Sequence, residues 1–321
     1  GVKRDRKPFN FVGIRKFTFA IPVVIFAIGI GAMVMGVSSG RGAFNYSMEF
    51  MGGTSTNVTF NEDMSLDQIS EQVVPLVEEV TGDGDVQTQK VEGGNEVIIR
   101  TRTLSAEERE QLNQLLADHF GVDENQITAE SISGVISSEM RTDAILAVAI
   151  ATVCMLVYIW FRFEFHFGVT AVVALLLDVG VMIAMVAILR LQVNSSFIAA
   201  ILTIVGYAIN DTIVVFDRVR ENMRTITRKD MTRAELADLS VRETLPRTIN
   251  TTVTTLITIV TLYIMGVSSI KEFALPIIIG LVAGNFTSIF VAPSLWGRWQ
   301  DRIDAKRAAG RRAGKVKPKK A

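Results

Sequence analysis

Three charged side chains stand inside or at the end of long apolar runs: Asp178 in Leu177-Asp178-Val179-Gly180, Asp211 directly after Asn210, and Arg247. A charge within a membrane-spanning helix costs about 2.5–3.5 kcal/mol on insertion scales, so each of the three needs a reason. An acid there can be kept protonated as a buried hydrogen-bond donor, or it can gain and lose a proton beside a cation. Burial favours a neutral carboxyl and a nearby guanidinium favours the ionised form, so a small movement of Arg247 would switch the proton occupancy of Asp211. Arg247 alone can equally be read as a flanking residue that snorkels to the membrane surface. Asp178, in mid-span, admits a structural role as readily as a functional one. Asp211 sits about five residues from the inner end of its run, roughly 7–8 Å deep at 1.5 Å per residue, where topology gives an acid no advantage.

The run after Arg247 is unusually polar. Thr248, Asn250, Thr251, Thr252, Thr254, Thr255, Thr258 and Thr261 fall within fourteen residues. Such a stripe either glues helices together or lines a hydrated crevice. Asn210, Asn250, Thr251 and Thr254 are the polar residues expected to support the charged set. Gly280, Gly284 and Ser288, spaced by four, read as close helix packing, and Gly206 reads the same way.

The elements that must position these groups are six runs long enough to cross a bilayer, which takes about 20 apolar residues each. Charge orients them. Residues 1–16 carry six basic side chains against one acidic, and 302–321 carry nine against one, whereas 38–141 carry six against 19. The positive-inside rule then puts both termini in the cytoplasm and the acidic segment outside. The expected division is a cytoplasmic tail (1–16), a span (17–37), an extracytoplasmic domain (38–141), three spans (142–162, 168–189, 196–216), a cytoplasmic loop (217–246), two spans (247–266, 273–296) and a basic cytoplasmic tail (297–321). The first run is too long for the 7–15-residue core of a secretory signal and reads as a retained anchor.

The outer segment predicts strands at Asn57–Phe60, Asp85–Val91, Glu96–Arg102 and Ile127–Ile132, the middle two joined at Gly93-Gly94-Asn95. Helices are predicted over Ser65–Val80, with Leu66, Ile69, Val73, Leu76, Val77 and Val80 on one face, and from a capping box at Ser105 and Glu108 through Phe120. The order β-α-β-β-α-β is that of a ferredoxin-like sandwich. The fold class is therefore an α-helical polytopic membrane protein with six transmembrane helices and one extracytoplasmic α+β ferredoxin-like domain.

Several activities are excluded by composition. Two histidines and one cysteine, among 321 residues, cannot make an ordinary zinc site, so no metal is expected. Gly310-Arg311-Arg312-Ala313-Gly314-Lys315 falls one residue short of a phosphate-binding loop, and neither a Gly-x-Ser-x-Gly elbow nor His-Glu-x-x-His occurs. The expectation is a non-enzymatic protein with no cofactor and no nucleic-acid partner, whose energy source is the membrane potential and proton gradient.

The stretch Gly206-Tyr207-Ala208-Ile209-Asn210-Asp211-Thr212-Ile213-Val214-Val215-Phe216-Asp217-Arg218-Val219-Arg220-Glu221-Asn222 closely resembles the signature of the SecF family of protein-export membrane subunits. Phe50-Met51-Gly52-Gly53-Thr54, Arg162-Phe163-Glu164 and Arg247-Thr248-Ile249-Asn250-Thr251 match other motifs of that family. The resemblance implies a SecD partner, kinship with proton-driven pumps of the resistance–nodulation–division superfamily, and assistance to late export of an unfolded preprotein beyond the SecYEG channel of the bacterial plasma membrane. It implies a proton-relay role for Asp211 with Arg247 as its partner. The family's His-Asp pair is here Leu177-Asp178, and its Gly-Pro pair is here Ser133-Gly134, which leaves Asp178 without a titratable neighbour in sequence. A small-molecule exporter of the same superfamily, or a non-conducting scaffold of the translocon, are the alternatives.

Overall fold

The computed structural model describes Gly13 and residues 15–39, 42–82, 84, 86–91, 94–226 and 231–315. Outside the described residues lie 1–12 and Ile14 of the expected first tail, 316–321 of the expected last one, Asp85 at the start of an expected strand, and Gly93 of the expected turn. Two compact units emerge, one of Gly1–Asn45 with Ala147–Ala321 and one of Tyr46–Leu146. The principal elements are α1 (Arg15–Ser38), β1 (Gly53–Thr59), α2 (Leu66–Gln68, a π-turn Ile69–Val73 and Val74–Thr81), β2 (Gln87–Lys90), β3 (Glu96–Thr101), α3 (Ala106–Phe120) and β4 (Ile127–Ile132). They continue with α4 (Gly134–Arg162), α5 (Phe165–Ile188), α6 (Ser195–Thr225), α7 (Arg233–Met265) and α8 (Ser268–Phe286, a π-turn Thr287–Val291 and Ala292–Lys315).

In the smaller unit a four-stranded antiparallel sheet has the order β2-β3-β1-β4, with Thr56 of β1 opposite both Ile99 and Ala129. β1 starts earlier than the predicted Asn57 because the two glycines do not break it. Gly53 adopts φ 120°, and a Cβ there would lie 2.4 Å from the Thr101 carbonyl oxygen, so only glycine lets the strand begin against β3. The next residue fixes the entry. Thr54 is fully buried, its hydroxyl 2.6 Å from Ser131 Oγ and accepting the Leu104 amide at 2.9 Å.

The predicted capping box of Ser105 with Glu108 forms, and a second, of Ser65 with Gln68, starts the other predicted helix. They start two helices whose Ile69, Val73, Val77, Leu112 and Leu116 close over Val58, Val97 and Ile99 as one core. Leu66, expected on that face, is exposed. Arg102 ties the helices together, donating from Nη2 to Glu108 Oε1 at 2.5 Å and to the Thr81 carbonyl at 2.7 Å. The Arg102 hydrogen bond first, then the Ser105 amide, hold the Glu108 carboxyl down from 4.5 to about 2.

Among the described residues six helices, α1 and α4–α8, are long and apolar enough to cross a membrane. Three of them, α5, α6 and α8, have half or more of their apolar windows buried, while α1, α4 and α7 are mostly exposed around them. The core is tight where α8 crosses α5 and α6. A Cβ on Gly280 would lie 2.5 Å from Ile204 Cγ1 and 2.8 Å from Met182 Sδ, and one on Gly284 would lie 3.0 Å from Ala208 Cβ. Gly206 does not share this role: nothing lies within 4 Å of its built Cβ.

Four helices, α4, α6, α7 and α8, clearly outrun the predicted spans, α8 continuing to Lys315 instead of 296. α4 begins at Gly134 instead of 142, and the expected loop 217–246 is largely helix, α6 continuing to Thr225 and α7 starting at Arg233. Polar contacts replace lipid there. Asn222 Nδ2 donates to Ser240 Oγ at 3.0 Å and Glu243 Oε2 at 2.8 Å, and Arg218 Nε donates to the same Glu243 oxygen at 2.7 Å. The N-terminus of α7 is capped twice, by Thr232 with Glu235 and by Asp301 of α8, which accepts the Arg233 and Ala234 amides at 2.9 and 3.2 Å.

Candidate proton-relay site

Asp211 lies on α6 with only 3% of its surface exposed. Its position follows from the helix period: Ala208, Asp211, Thr212 and Val215 share the buried face of α6, and Asn210 falls on the exposed one. Facing it, Thr252 of α7 donates its hydroxyl to Asp211 Oδ2 at 3.5 Å. Thr252 is held in turn by Asn285 of α8, whose Nδ2 donates to Thr252 Oγ1 at 2.8 Å and to the Thr248 carbonyl at 3.4 Å. A chain of donors therefore runs Asn285 to Thr252 to Asp211 and ends on the carboxylate.

Asp178, 1% exposed on α5, accepts a hydrogen bond from Thr287 Oγ1 at 2.5 Å. Thr287 opens the π-turn of α8, a local widening that is frequent at functional sites. The Gly284 Cβ position lies 3.7 Å from Asp178 Oδ2 on one side and 3.0 Å from Ala208 on the other, so a glycine lets the acid approach α6. The site is thus two buried acids, each met by its own hydroxyl, Asp178 by Thr287 of α8 and Asp211 by Thr252 of α7.

Arg247 stands apart from these contacts: it is exposed, with no ion pair among the described residues. Arg247, Thr251, Thr254 and Thr258 share one outward stripe of α7, whereas Thr248 and Thr252 point inward. Asn250 is exposed as well, and the hydroxyls of Thr251 and Thr254 bond to carbonyls of their own helix, at 3.0 Å to Arg247 and Asn250 respectively. The structure buries Asp178 and Asp211 and leaves Asn210, Asn250, Thr251 and Thr254 on the outer surface. The groups that touch the acids are Thr252 and Thr287, and Asn285 holds Thr252; of these the sequence named only Thr252, as one of the threonine run.

The family profile described as "Protein export membrane protein SecD/SecF, C-terminal" matches residues 111–302. The chain belongs to this family. A protein translocase subunit SecF from Acidaminococcus fermentans is 34% identical over 90% of this chain and 97% of its own length. A SecF from Dictyoglomus turgidum is 35% identical over 92% and 99% respectively. The protein translocase subunit SecDF of Thermus thermophilus is 33% identical over 94% of this chain, which spans only 40% of that longer relative. A crystal structure of SecDF, a translocon-associated membrane protein from Thermus thermophilus, superposes with a TM-score of 0.75 at 31% identity, covering 94% of this chain and 40% of that one. The SecD/SecF membership and the six long apolar helices make this a multi-pass membrane protein.

Proposed function

We propose that this chain is the SecF-type subunit of a bacterial Sec translocase and that Asp211 carries the proton which powers a late stage of protein export. The observation that carries the reading is the environment of Asp211: a carboxyl buried in a membrane-crossing bundle and met by one hydroxyl, with Arg247 of the same facing helix exposed and in no ion pair among the described residues. An ionised Asp211 attracts the Arg247 guanidinium; a protonated one releases it. Because Arg247 and Thr252 face different sides of α7, exchanging one partner for the other requires α7 to turn against α6. Thr248 Oγ1, buried without a hydrogen-bond partner, adds a hydroxyl on the route between them.

In this reading the chain is a transport subunit and not an enzyme, works without cofactor or nucleic acid, and has both termini in the cytoplasm. The unit Tyr46–Leu146 is extracytoplasmic and ferredoxin-like; its strand order and the alternation of strands and helices support that fold. SecD, the SecYEG channel, the emerging unfolded preprotein and the lipid bilayer are its partners. Asp178 serves as the second acid of the relay. Proton-stimulated export into vesicles is the test. Asp211→Asn should reduce it at least tenfold with the complex still assembled, and a wild-type rate would refute the reading. Loss of drug resistance with intact secretion would favour a small-molecule exporter instead.

A further inference from the structure

Ser294, Arg298 and Arg302 recur every four residues on α8 and so share one helix face. They line a groove of about 620 Å³ whose walls are Phe19 of α1 and Val169 and Val173 of α5. Ser294 is 1% exposed, and its hydroxyl has no hydrogen-bond partner. Arg298 and Arg302 are exposed and meet no carboxylate among the described residues. The acids of the same stretch are committed elsewhere, Asp301 to the α7 amides and Asp304 to Arg233 at 3.3 Å. The mouth of the groove is therefore left cationic. The N-terminus of α5 beside it adds partial positive charge, and Trp299 stands at the rim with its ring centroid 5.1 Å from that of His166.

A second groove, of about 430 Å³, shares Val169 and Val173 with the first and continues along Leu156, Ile159 and Trp160 of α4. Two grooves thus share one pair of valines, and the first of them carries the two arginines. We propose that these paired grooves bind one anionic diacyl phospholipid, its phosphate on Arg298 and Arg302, the Ser294 hydroxyl on a headgroup oxygen, and one acyl chain in each channel. Charge selects the occupant: a zwitterionic lipid would bring a second cation to two arginines that lack a counter-ion, whereas an anionic head neutralises them. The twin channels select a lipid over a free anion.

The test is native mass spectrometry and thermal unfolding of the full-length protein in neutral detergent. Phosphatidylglycerol should bind saturably and raise the melting temperature, phosphatidylcholine should bind at least tenfold more weakly, and glycerol phosphate should not compete. The double variant Arg298→Gln, Arg302→Gln should lose at least tenfold in phosphatidylglycerol affinity with its lipid-free melting temperature unchanged. Neutralising Lys315, Lys317, Lys319 and Lys320 together should leave the affinity within about twofold. Equal affinity for the two lipids, competition by glycerol phosphate, or full binding by the double variant would overturn the proposal. So would loss of binding on neutralising the tail lysines alone.

Discussion

Thr252 donates its hydroxyl to Asp211 at 3.5 Å, whereas Arg247, five residues earlier on the same helix, is exposed and makes no ion pair among the described residues. Five residues at 3.6 per turn separate the two side chains by about 140° around α7. One helix thus offers Asp211 two alternative partners that cannot both face it, and the proton decides between them in the account given above.

Removing the hydroxyl should expose its structural share. Thr252→Val leaves Asn285 Nδ2 without its 2.8 Å acceptor in the bundle interior. A loss of about 1–3 kcal/mol is expected, as for other buried polar groups left unsatisfied. Thermal unfolding in detergent measures it, and Thr252→Ser should restore most of the loss.

The crossing of α8 with α6 predicts a compensable clash. Gly280→Ala puts a Cβ 2.5 Å from Ile204 Cγ1 and should destabilise the protein by about 1–3 kcal/mol. Ile204→Ala in the same chain should recover part of it. Gly206→Ala, where nothing lies within 4 Å, should leave the isolated chain unchanged.

Asp301 caps a helix from another helix. Asp301→Ala removes the acceptor of the Arg233 and Ala234 amides, at a cost of about 1 kcal/mol typical of a lost N-cap. Hydrogen exchange should quicken at the first turn of α7 and remain unchanged in the middle of α6.

The acid stability of the smaller unit has a defined source. The Glu108 carboxyl, held at about 2 by Arg102 against an ordinary 4.5, contributes stability that is complete above pH 4.5 and is lost as pH falls toward 2. Glu108→Gln keeps the capping amide acceptor and loses the charge. Melting followed from pH 6 to pH 2 should therefore fall less steeply in the variant than in the wild type.

Much of this arrangement is legible in the sequence, and what is not has physical reasons. Asp178 and Asp211 announce themselves because a carboxylate in an apolar run is costly. Ser65, Ser105 and their partners announce two helix starts because capping boxes are local. Hydropathy gives no sign that α6 and α7 continue beyond the apolar runs, since a polar helix end stabilised by Asn222, Ser240 and Glu243 carries no apolar stretch. Which threonine of α7 faces Asp211 depends on helix rotation, so Thr252 is hidden among its neighbours Thr251 and Thr254. Asn285 and Thr287 acquire their roles from the crossing of α8 with α5 and α7, a tertiary relationship that no local spacing encodes.

The most direct test is infrared difference titration of the purified protein in lipid, with Asp178→Asn as background so that Asp211 is the acid left at this site. Asp238 and Asp304 are buried as well, so the band is assigned by difference: the account predicts a protonated-carboxyl band that appears on acidification, disappears on raising the pH, and is lost when Asp211→Asn is added. An identical titration with and without Asp211 would contradict it.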